Sequence, residues 1–155
     1  MQKLFGKASI YLYILLLLSP PPVSCAEQDP VKFLTDFYTW YIPAQSVMYA
    51  EYHSNIYLYV ARETVEKIKK QPQNPGYDRT DYFLKLSDAP RDMNGVSIVV
   101  SPVETLGPDT LVTVVTIVHI DKFGHRFPDG VIVVVLKKIE GKLKIFKCID
   151  AYPEA

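Results

Sequence analysis

The sequence predicts an α+β domain in which N-terminal helices pack on a curved antiparallel sheet of about four strands. Apolar and aromatic residues recur at helical spacing between positions 30 and 70, whereas β-branched residues dominate the chain after Gly95. Short, turn-like clusters separate the β-rich segments, and connections of that length favour antiparallel neighbours over crossovers. Helices followed by strands is the order of an α+β layer architecture.

The first 25 residues have the pattern of an export signal. Lys3 and Lys7 precede an apolar run from Ile10 to Leu18, and three prolines follow at 20–22. A positive segment followed by a short apolar one is typical of a secretory signal, and the run is about half the ~20 residues that a membrane-spanning helix needs. We therefore expect residues 1–25 to be a signal peptide and residues 26–155 to form one exported, periplasmic domain.

Cys25 lies where the signal ends, and the sequence allows two fates there. Small residues at Ser24–Ala26 would let a signal peptidase cut before Glu27, which removes Cys25. Alternatively, Val23–Cys25 resembles the end of a bacterial lipobox, although Pro22 stands where that signal usually has Leu. That resemblance implies a cut before Cys25, a lipid on its sulfur and anchoring to the outer membrane.

The second cysteine, Cys148, offers a third fate for Cys25. An exported chain can form a disulfide, but two cysteines so far apart form no framework. Cys148 sits on an apolar strand, where an unpaired cysteine is most simply a small buried hydrophobe. We therefore expect no reactive thiol at this position.

The first predicted helix begins at Asp29 and Pro30. Asp29 can cap the helix, and Pro30 suits the first helical position because no donor is needed there. Apolar side chains then recur three and four residues apart, which places them on one side of the helix. They are Phe33, Leu34, Phe37, Tyr38, Trp40 and Tyr41. We expect this stripe to form core, with Trp40 and Tyr41 as candidates to line a ligand cavity, and Pro43 to end the helix.

The segments between the first helix and the strands are shorter. Residues 44–71 predict one broken helix or two short ones, with lysines toward the C-terminal end, where they suit the helix dipole. Residues 72–80 are a loop by their proline and glycine content. Residues 81–90 predict a helical turn or an extended connector whose apolar side chains enter the core. These side chains are Tyr82, Phe83, Leu84 and Leu86.

Four strands are predicted at 96–100, 111–120, 131–138 and 142–149, with a tight turn around Glu140. In the last strand Leu143, Ile145 and Ile149 are expected on the covered face. The second strand is apolar on both faces, so its second face is either buried or meets a partner or a ligand. The candidates for this partner face are Val112, Val114, Thr116, Val118 and His119.

The order of elements is similar to the nuclear transport factor 2-like (cystatin-like) cone. The segments "FLTDFYTWYI", "DYFLKLSDAP" and "GVIVVVLKKIEGKLKIFKCID" resemble a family of small exported bacterial proteins of unknown function with that fold. Leu143 stands where the family's closing hairpin has Trp. The resemblance spans Val31 to Asp150 and implies a fold and a compartment, with no reaction attached.

Enzymes also use that cone, with a carboxylate and a tyrosine transferring protons inside the cavity. Asp36, Tyr41, Asp81 and Tyr82 are the residues that could stand near such a cavity. Asp36 is equally well a solvent-facing helix residue, and Asp81 a helix cap. A small-molecule isomerase or hydratase is therefore the alternative function.

Other chemistry is not predicted. Three histidines, His53, His119 and His125, lie on different elements without metal-ligand spacing, so we expect no metal and no cofactor. His125 and Asp121 share a turn and could pair, although a solvated turn is the simpler interpretation. Removing residues 1–25 takes two lysines and no acid, which leaves 15 basic and 17 acidic residues and argues against a nucleic-acid partner.

The function that the sequence predicts is an exported, non-enzymatic binding domain of the bacterial envelope. Its partner would be a protein, and by analogy with small periplasmic proteins of this shape it could be an immunity-type inhibitor of a toxin. A homodimer formed through the sheet is a further use of the same apolar face. Contact with a membrane is expected only through a lipid on Cys25.

Overall fold

The computed structural model describes residues 28–47, 54–70, 81–86, 90 and 92–151. Cys25 and the predicted loop at 72–80 lie outside these described residues. The helices are α1 (Pro30–Val47), α2 (Ile56–Tyr59) and α3 (Arg62–Lys69), and the strands are β1 (Val96–Val100), β2 (Glu104–Gly107), β3 (Thr110–Ile120), β4 (Arg126–Ile139) and β5 (Lys142–Asp150). Within the described part of the chain, every helix is too short or too polar to cross a membrane. The α+β class is confirmed.

Helix α1 begins as predicted but runs past its expected end. The Asp29 carboxylate accepts the Val31 N–H at 2.9 Å, which satisfies one of the open donors at the helix start. Pro43, expected to end the helix, lies inside it. A proline there removes one backbone hydrogen bond, but Tyr41 and Ile42 in the same turn are fully buried, and this packing holds the helix together.

Helices α2 and α3 confirm the prediction of two short helices, and they close one edge of the sheet. The connector between them forms a parallel bridge, Val60 to Ile145, and the Ala61 N–H donates to the Ile145 carbonyl at 3.0 Å. The Thr64 hydroxyl donates to the Phe146 carbonyl at 2.7 Å. The outer edge of β5 is therefore satisfied by the helical half of the chain.

The sheet has the order β1-β3-β4-β5. The short strand β2 also pairs with β3, on the same side as β1 but at the other end of the strand. All strand pairs are antiparallel, as predicted. The structure has five strands where the sequence predicts about four. The additional strand is β2, which lies in a segment whose composition predicts a turn. β4 also begins at Arg126 rather than at residue 131, since backbone pairing with β3 continues through a stretch with no buried side chain.

Two bulges set which side chains face the helices. Asp129 is the extra residue of β4 opposite Ile117 and Val118, and Phe146 is the extra residue of β5 opposite Val135 and Leu136. A bulge reverses the alternation of the side chains that follow it. The prediction that Ile149 lies on the covered face is therefore wrong, because it is 40% exposed. Cys148 takes its place in the core.

The core lies between the helices and the inner face of the sheet. Phe83 and Leu84 are fully buried in it, as predicted, and Tyr82 and Leu86 pack against it. Gly130 allows segment 81–86 to approach β4, since a Cβ there would stand 3.1 Å from the Leu84 carbonyl oxygen. The tight turn after β4 is confirmed, with Glu140 and Gly141 both at positive φ.

Candidate functional site

The aromatic stripe of α1 forms the centre of the core. The Phe37 ring contacts five other rings at centroid distances between 4.9 and 6.2 Å. They belong to Tyr38, Trp40, Tyr41, Tyr59 and Phe83. The Tyr38 hydroxyl also donates to the Phe83 carbonyl at 3.1 Å. These side chains fill the space between α1, α2 and segment 81–86.

The structure brings three of the five predicted cavity residues together, namely Trp40, Tyr41 and Asp81. The Tyr41 hydroxyl donates to one oxygen of Asp81 at 2.8 Å. The other oxygen of Asp81 accepts the N–H groups of Phe83 and Leu84 at 2.8 and 2.7 Å. Asp81 is thus the cap that the sequence allowed, and it also ties the turn at 82–84 to α1. Both oxygens of this carboxylate accept hydrogen bonds from the protein itself, so its role in the fold is structural.

Of the other candidates, Trp40 lies beside this pair, since its ring meets the Tyr41 ring edge-on at a centroid distance of 6.1 Å. Asp36 is on the solvent side of α1, where its 49% exposed carboxylate pairs with Lys32 at 2.7 Å. Trp40 is half-buried and stacks on Tyr59 at 5.6 Å. Tyr82 is half-buried under the Lys85 ammonium, which lies 4.4 Å from its ring centroid. The carboxylate–tyrosine contact that the enzyme alternative requires is thus made by Asp81 with Tyr41, whereas Asp36 pairs with Lys32 on the solvent side.

Cys148 is a free, buried thiol, as expected for a small core residue. Burial raises the pKa of this thiol to about 12, so it stays protonated at neutral pH. Burial also raises the pKa of the neighbouring Tyr38 phenol. The thiol is thus free and closed off from solvent in this structure.

We expect Cys148 to make the domain sensitive to alkali. In the unfolded chain the thiol ionises near its ordinary pKa of 9.0, whereas in the fold it ionises near 12. Between these values the unfolded chain binds fewer protons, so the free energy of unfolding should fall by up to about 1.4 kcal/mol per pH unit as the pH rises. Urea denaturation at pH 7, 8, 9 and 10 measures this slope. In Cys148→Ala the fall between pH 9 and 10 should largely disappear; an unchanged slope would contradict the assignment.

The outer face of the sheet is the first candidate interaction surface. Four predicted partner-face residues, Val112, Val114, Thr116 and Val118, lie half-buried along one side of β3, while the alternate residues point into the core. Across the strand pair Val112 lies opposite Val135 and Val114 opposite Val133. The outer sheet face therefore has an apolar centre, and the described helices pack on the opposite face.

His119, the fifth predicted partner-face residue, is out of phase with the other four. It pairs with Val96, which packs against the core from the inner side. Side chains alternate along a strand, so His119 belongs to the inner side, at an end where the helices no longer cover it. It is exposed there.

The second candidate surface is the tip of the β3–β4 hairpin, which the sequence did not single out. We call residues 121–127 the hairpin arm. Phe123 is 74% exposed and Phe127 is 50% exposed. Their rings flank His125 at centroid distances of 6.1 and 6.3 Å. One sequence feature could have identified this surface. Two phenylalanines lie in a turn-like segment, and a turn offers no buried position for their rings.

A hydrogen-bonded clip holds the hairpin arm. One Asp121 oxygen accepts the N–H groups of Phe123 and His125 at 2.8 and 2.9 Å, and the other lies 2.9 Å from the His125 Nδ1. Partial desolvation would raise the pKa of Asp121, but these hydrogen bonds, together with one from Gly124, outweigh it and lower that pKa. The pair of His125 and Asp121 that the sequence allowed is therefore formed, and the turn that carries it is exposed to solvent.

Among the described residues, no three His, Cys, Asp or Glu side chains form a group that could hold a metal ion. The candidate sites that the described residues do present are surfaces. The two surfaces are the outer sheet face and the hairpin arm.

Two solved chains are similar to this one, and both come from the type VI effector–immunity complex Tae3–Tai3 of Ralstonia pickettii. The chain of the native complex has a TM-score of 0.59 and 29% identity, covering 82% of this chain and 98% of that one. The chain of the selenomethionine complex has a TM-score of 0.58 and 30% identity, covering 82% of this chain and 100% of that one. No protein-family model and no curated protein matches the chain.

These neighbours sharpen the expectation drawn from the sequence. The nuclear transport factor 2-like cone is not confirmed by them, and the described strands form an open antiparallel sheet. An identity of 29–30% over nearly the full length of the neighbour supports more than a shared architecture. The chain is therefore a relative of one component of the type VI effector–immunity pair Tae3–Tai3.

Proposed function

We propose that this protein is an immunity protein, which binds a type VI effector of bacterial competition and blocks it. The observation that carries the proposal is the similarity, over 82% of this chain, to a chain of an effector–immunity complex. The sequence alone had already suggested an exported protein-binding domain without an enzymatic centre.

The chemistry of the described residues favours the immunity side of such a pair over the effector side. An effector that acts as an enzyme needs an accessible nucleophile or a carboxylate free to exchange protons. Here Cys148 is buried and protonated, and Asp81 is engaged by Tyr41 and two backbone amides. The outer sheet face and the hairpin arm instead present apolar and aromatic side chains, which suits recognition of a protein. The same observations count against the isomerase or hydratase alternative.

We further propose that the protein acts in the bacterial envelope, where an incoming effector would meet it. The support is the signal-like pattern of residues 1–25. Intact-mass measurement of the mature protein separates the two fates of Cys25. An acylated mass would support anchoring, whereas a chain beginning at Glu27 without acyl groups would exclude it.

The test is protection against a defined effector. Type VI effectors from the same genome, beginning with any encoded beside this gene, are produced in the periplasm of a test bacterium with and without the protein. We expect one effector to be neutralised and to form a stable complex, with a nanomolar Kd (~10⁻⁹ M) typical of tight inhibitors. Protection should be lost when residues 1–25 are deleted. If no effector is bound or neutralised, the proposal is wrong.

A further inference from the structure

We propose that the hairpin arm, residues 121–127, is the element that enters a concave, acid-rimmed cleft of the bound effector. The inference rests on the proposed function and goes beyond it, since it names the surface and the chemistry of the site that receives it. Four properties of the arm carry it: exposed aromatic rings, rigidity, charge and shape.

The exposed rings are the first property. Phe123 and Phe127 are two of the largest apolar side chains that the described part of the chain leaves in water, at 74% and 50% exposure. Nothing in the fold requires them there, because every residue from 122 to 129 is exposed and contributes nothing to the core. Aromatic side chains of this kind are the usual anchors of protein interfaces, where a partner's pocket takes them out of water.

Rigidity is the second property. The Asp121 carboxylate closes the turn through two backbone amides and the His125 ring. Gly124 adopts a positive φ of 84°, a conformation that a glycine reaches at little cost, and its N–H donates to the Asp121 carbonyl at 3.0 Å. The arm is thereby held in one shape before it meets a partner. A preorganised element loses less conformational entropy on binding than a loop that must first be ordered.

Charge is the third property and identifies the rim of the cleft. Lys122 and Arg126 are both exposed, and neither forms an ion pair with another described residue. The one carboxylate of the arm, Asp121, is turned toward the arm's own amides and His125. The next acidic residue in the sequence, Asp129, lies outside the arm, where the arm joins the rest of β4. The tip therefore presents two cations around apolar rings, which complements an acidic rim around an apolar floor.

Shape is the fourth property. On one side β1 pairs with β3 only as far as His119, and on the other β5 pairs with β4 only from Ile132 onward. Beyond these points the hairpin projects as a narrow two-stranded ribbon, which fits a cleft better than a flat surface. Pro128 and the bulge at Asp129 interrupt its backbone donors, so pairing with another strand is disfavoured and the side chains carry the contact.

The deciding experiment removes both rings and measures the complex with the effector identified by the protection assay. In Phe123→Ala/Phe127→Ala we expect affinity to fall by ~100-fold or more, since anchor residues typically cost this much on truncation. The matched control is Leu106→Ala, another exposed apolar side chain, 67% exposed, beside the β2–β3 turn. Its affinity should stay within about threefold of the wild type. Both variants should keep the wild-type circular dichroism spectrum and Tm, because none of the three positions is buried.

A second pair of variants tests the charge. Replacing Lys122 and Arg126 by Ser should lower the association rate about tenfold at low salt, with the difference shrinking as salt rises. Lys142→Ser, at the exposed start of β5, is the control and should leave the rate unchanged.

The outcomes separate the inference from the function on which it rests. If the wild-type protein neutralises no effector, the proposed function fails and the ring variants are not needed. If the wild type binds and the double alanine variant binds equally well, the arm is not the inserted element. Loss of binding in Val114→Asp alone would place the contact on the outer sheet face instead and overturn the inference.

Discussion

Val115→Asp should unfold the domain, whereas Val114→Asp should leave it folded. Val115 is fully buried under the helices, and its neighbour on the chain lies on the half-exposed outer sheet face. An unpaired carboxylate in an apolar core costs several kcal/mol, and a small domain is stable by only about 5–15 kcal/mol in total. On the outer face the same change costs about 1–2 kcal/mol, mainly through lost strand propensity and lost contact with Val133.

Circular dichroism and urea denaturation of the two variants measure the difference. The pair is matched in residue type, strand and chain position, so only the face differs. If both variants unfold, the outer sheet face is not free. If both remain folded with equal midpoints, the assignment of the inner face is wrong. A folded Val114→Asp protein that sediments as a smaller species than the wild type would reveal self-association through this face.

Phe37→Ala should be the most damaging truncation of a single apolar side chain. The Phe37 ring is fully buried and contacts five other rings from three segments of the chain. Removing it leaves a cavity that these rings cannot all collapse into, and such substitutions cost about 3–5 kcal/mol. Phe37→Leu keeps most of the volume and should cost roughly half as much.

The free energy of unfolding from urea titration checks this, with Phe123→Ala as the second control. Phe123 is the same residue type but exposed on the hairpin arm, so its truncation should stay within about 0.5 kcal/mol. Equal losses at positions 37 and 123 would contradict the core that the structure assigns. A loss confined to position 37 also shows that variants of the arm can be interpreted as changes in binding.

The fold was largely predictable because burial leaves a periodic trace in the sequence. The stripe from Phe33 to Tyr41 recurs at helical spacing, and the β-branched runs after Gly95 alternate or are apolar throughout. β2 and the first five residues of β4 left no such trace. They are exposed, and their strand structure comes from backbone pairing with β3, which depends on the partner strand rather than on their own side chains.

The candidate surfaces were predictable only in part. The outer sheet face follows from the two-sided apolar character of β3, and four of its five predicted members share one face. The two differences are at His119 and Ile149. The predicted surface ran from Val112 to His119, and the alternation along β3 places His119 on the other side from the even-numbered residues. Ile149 lies beyond the bulge at Phe146, which reverses the alternation in β5 and has no signal in the sequence. The hairpin arm was missed because a turn-like composition predicts only a loop, not that the loop is rigid and carries two exposed rings.

The closure of β5 by the helical half has a consequence for the order of folding. Thr64 and Phe146, which share a hydrogen bond, are 82 residues apart, and the Gln28 side chain accepts the Leu143 N–H across 115 residues. Contacts between such distant parts of a chain form slowly. The helices that leave the ribosome first cannot complete their contacts with the sheet until β5 has been made. The edge of the sheet that these helices cover is therefore closed late in synthesis, a property that would suit the export proposed above.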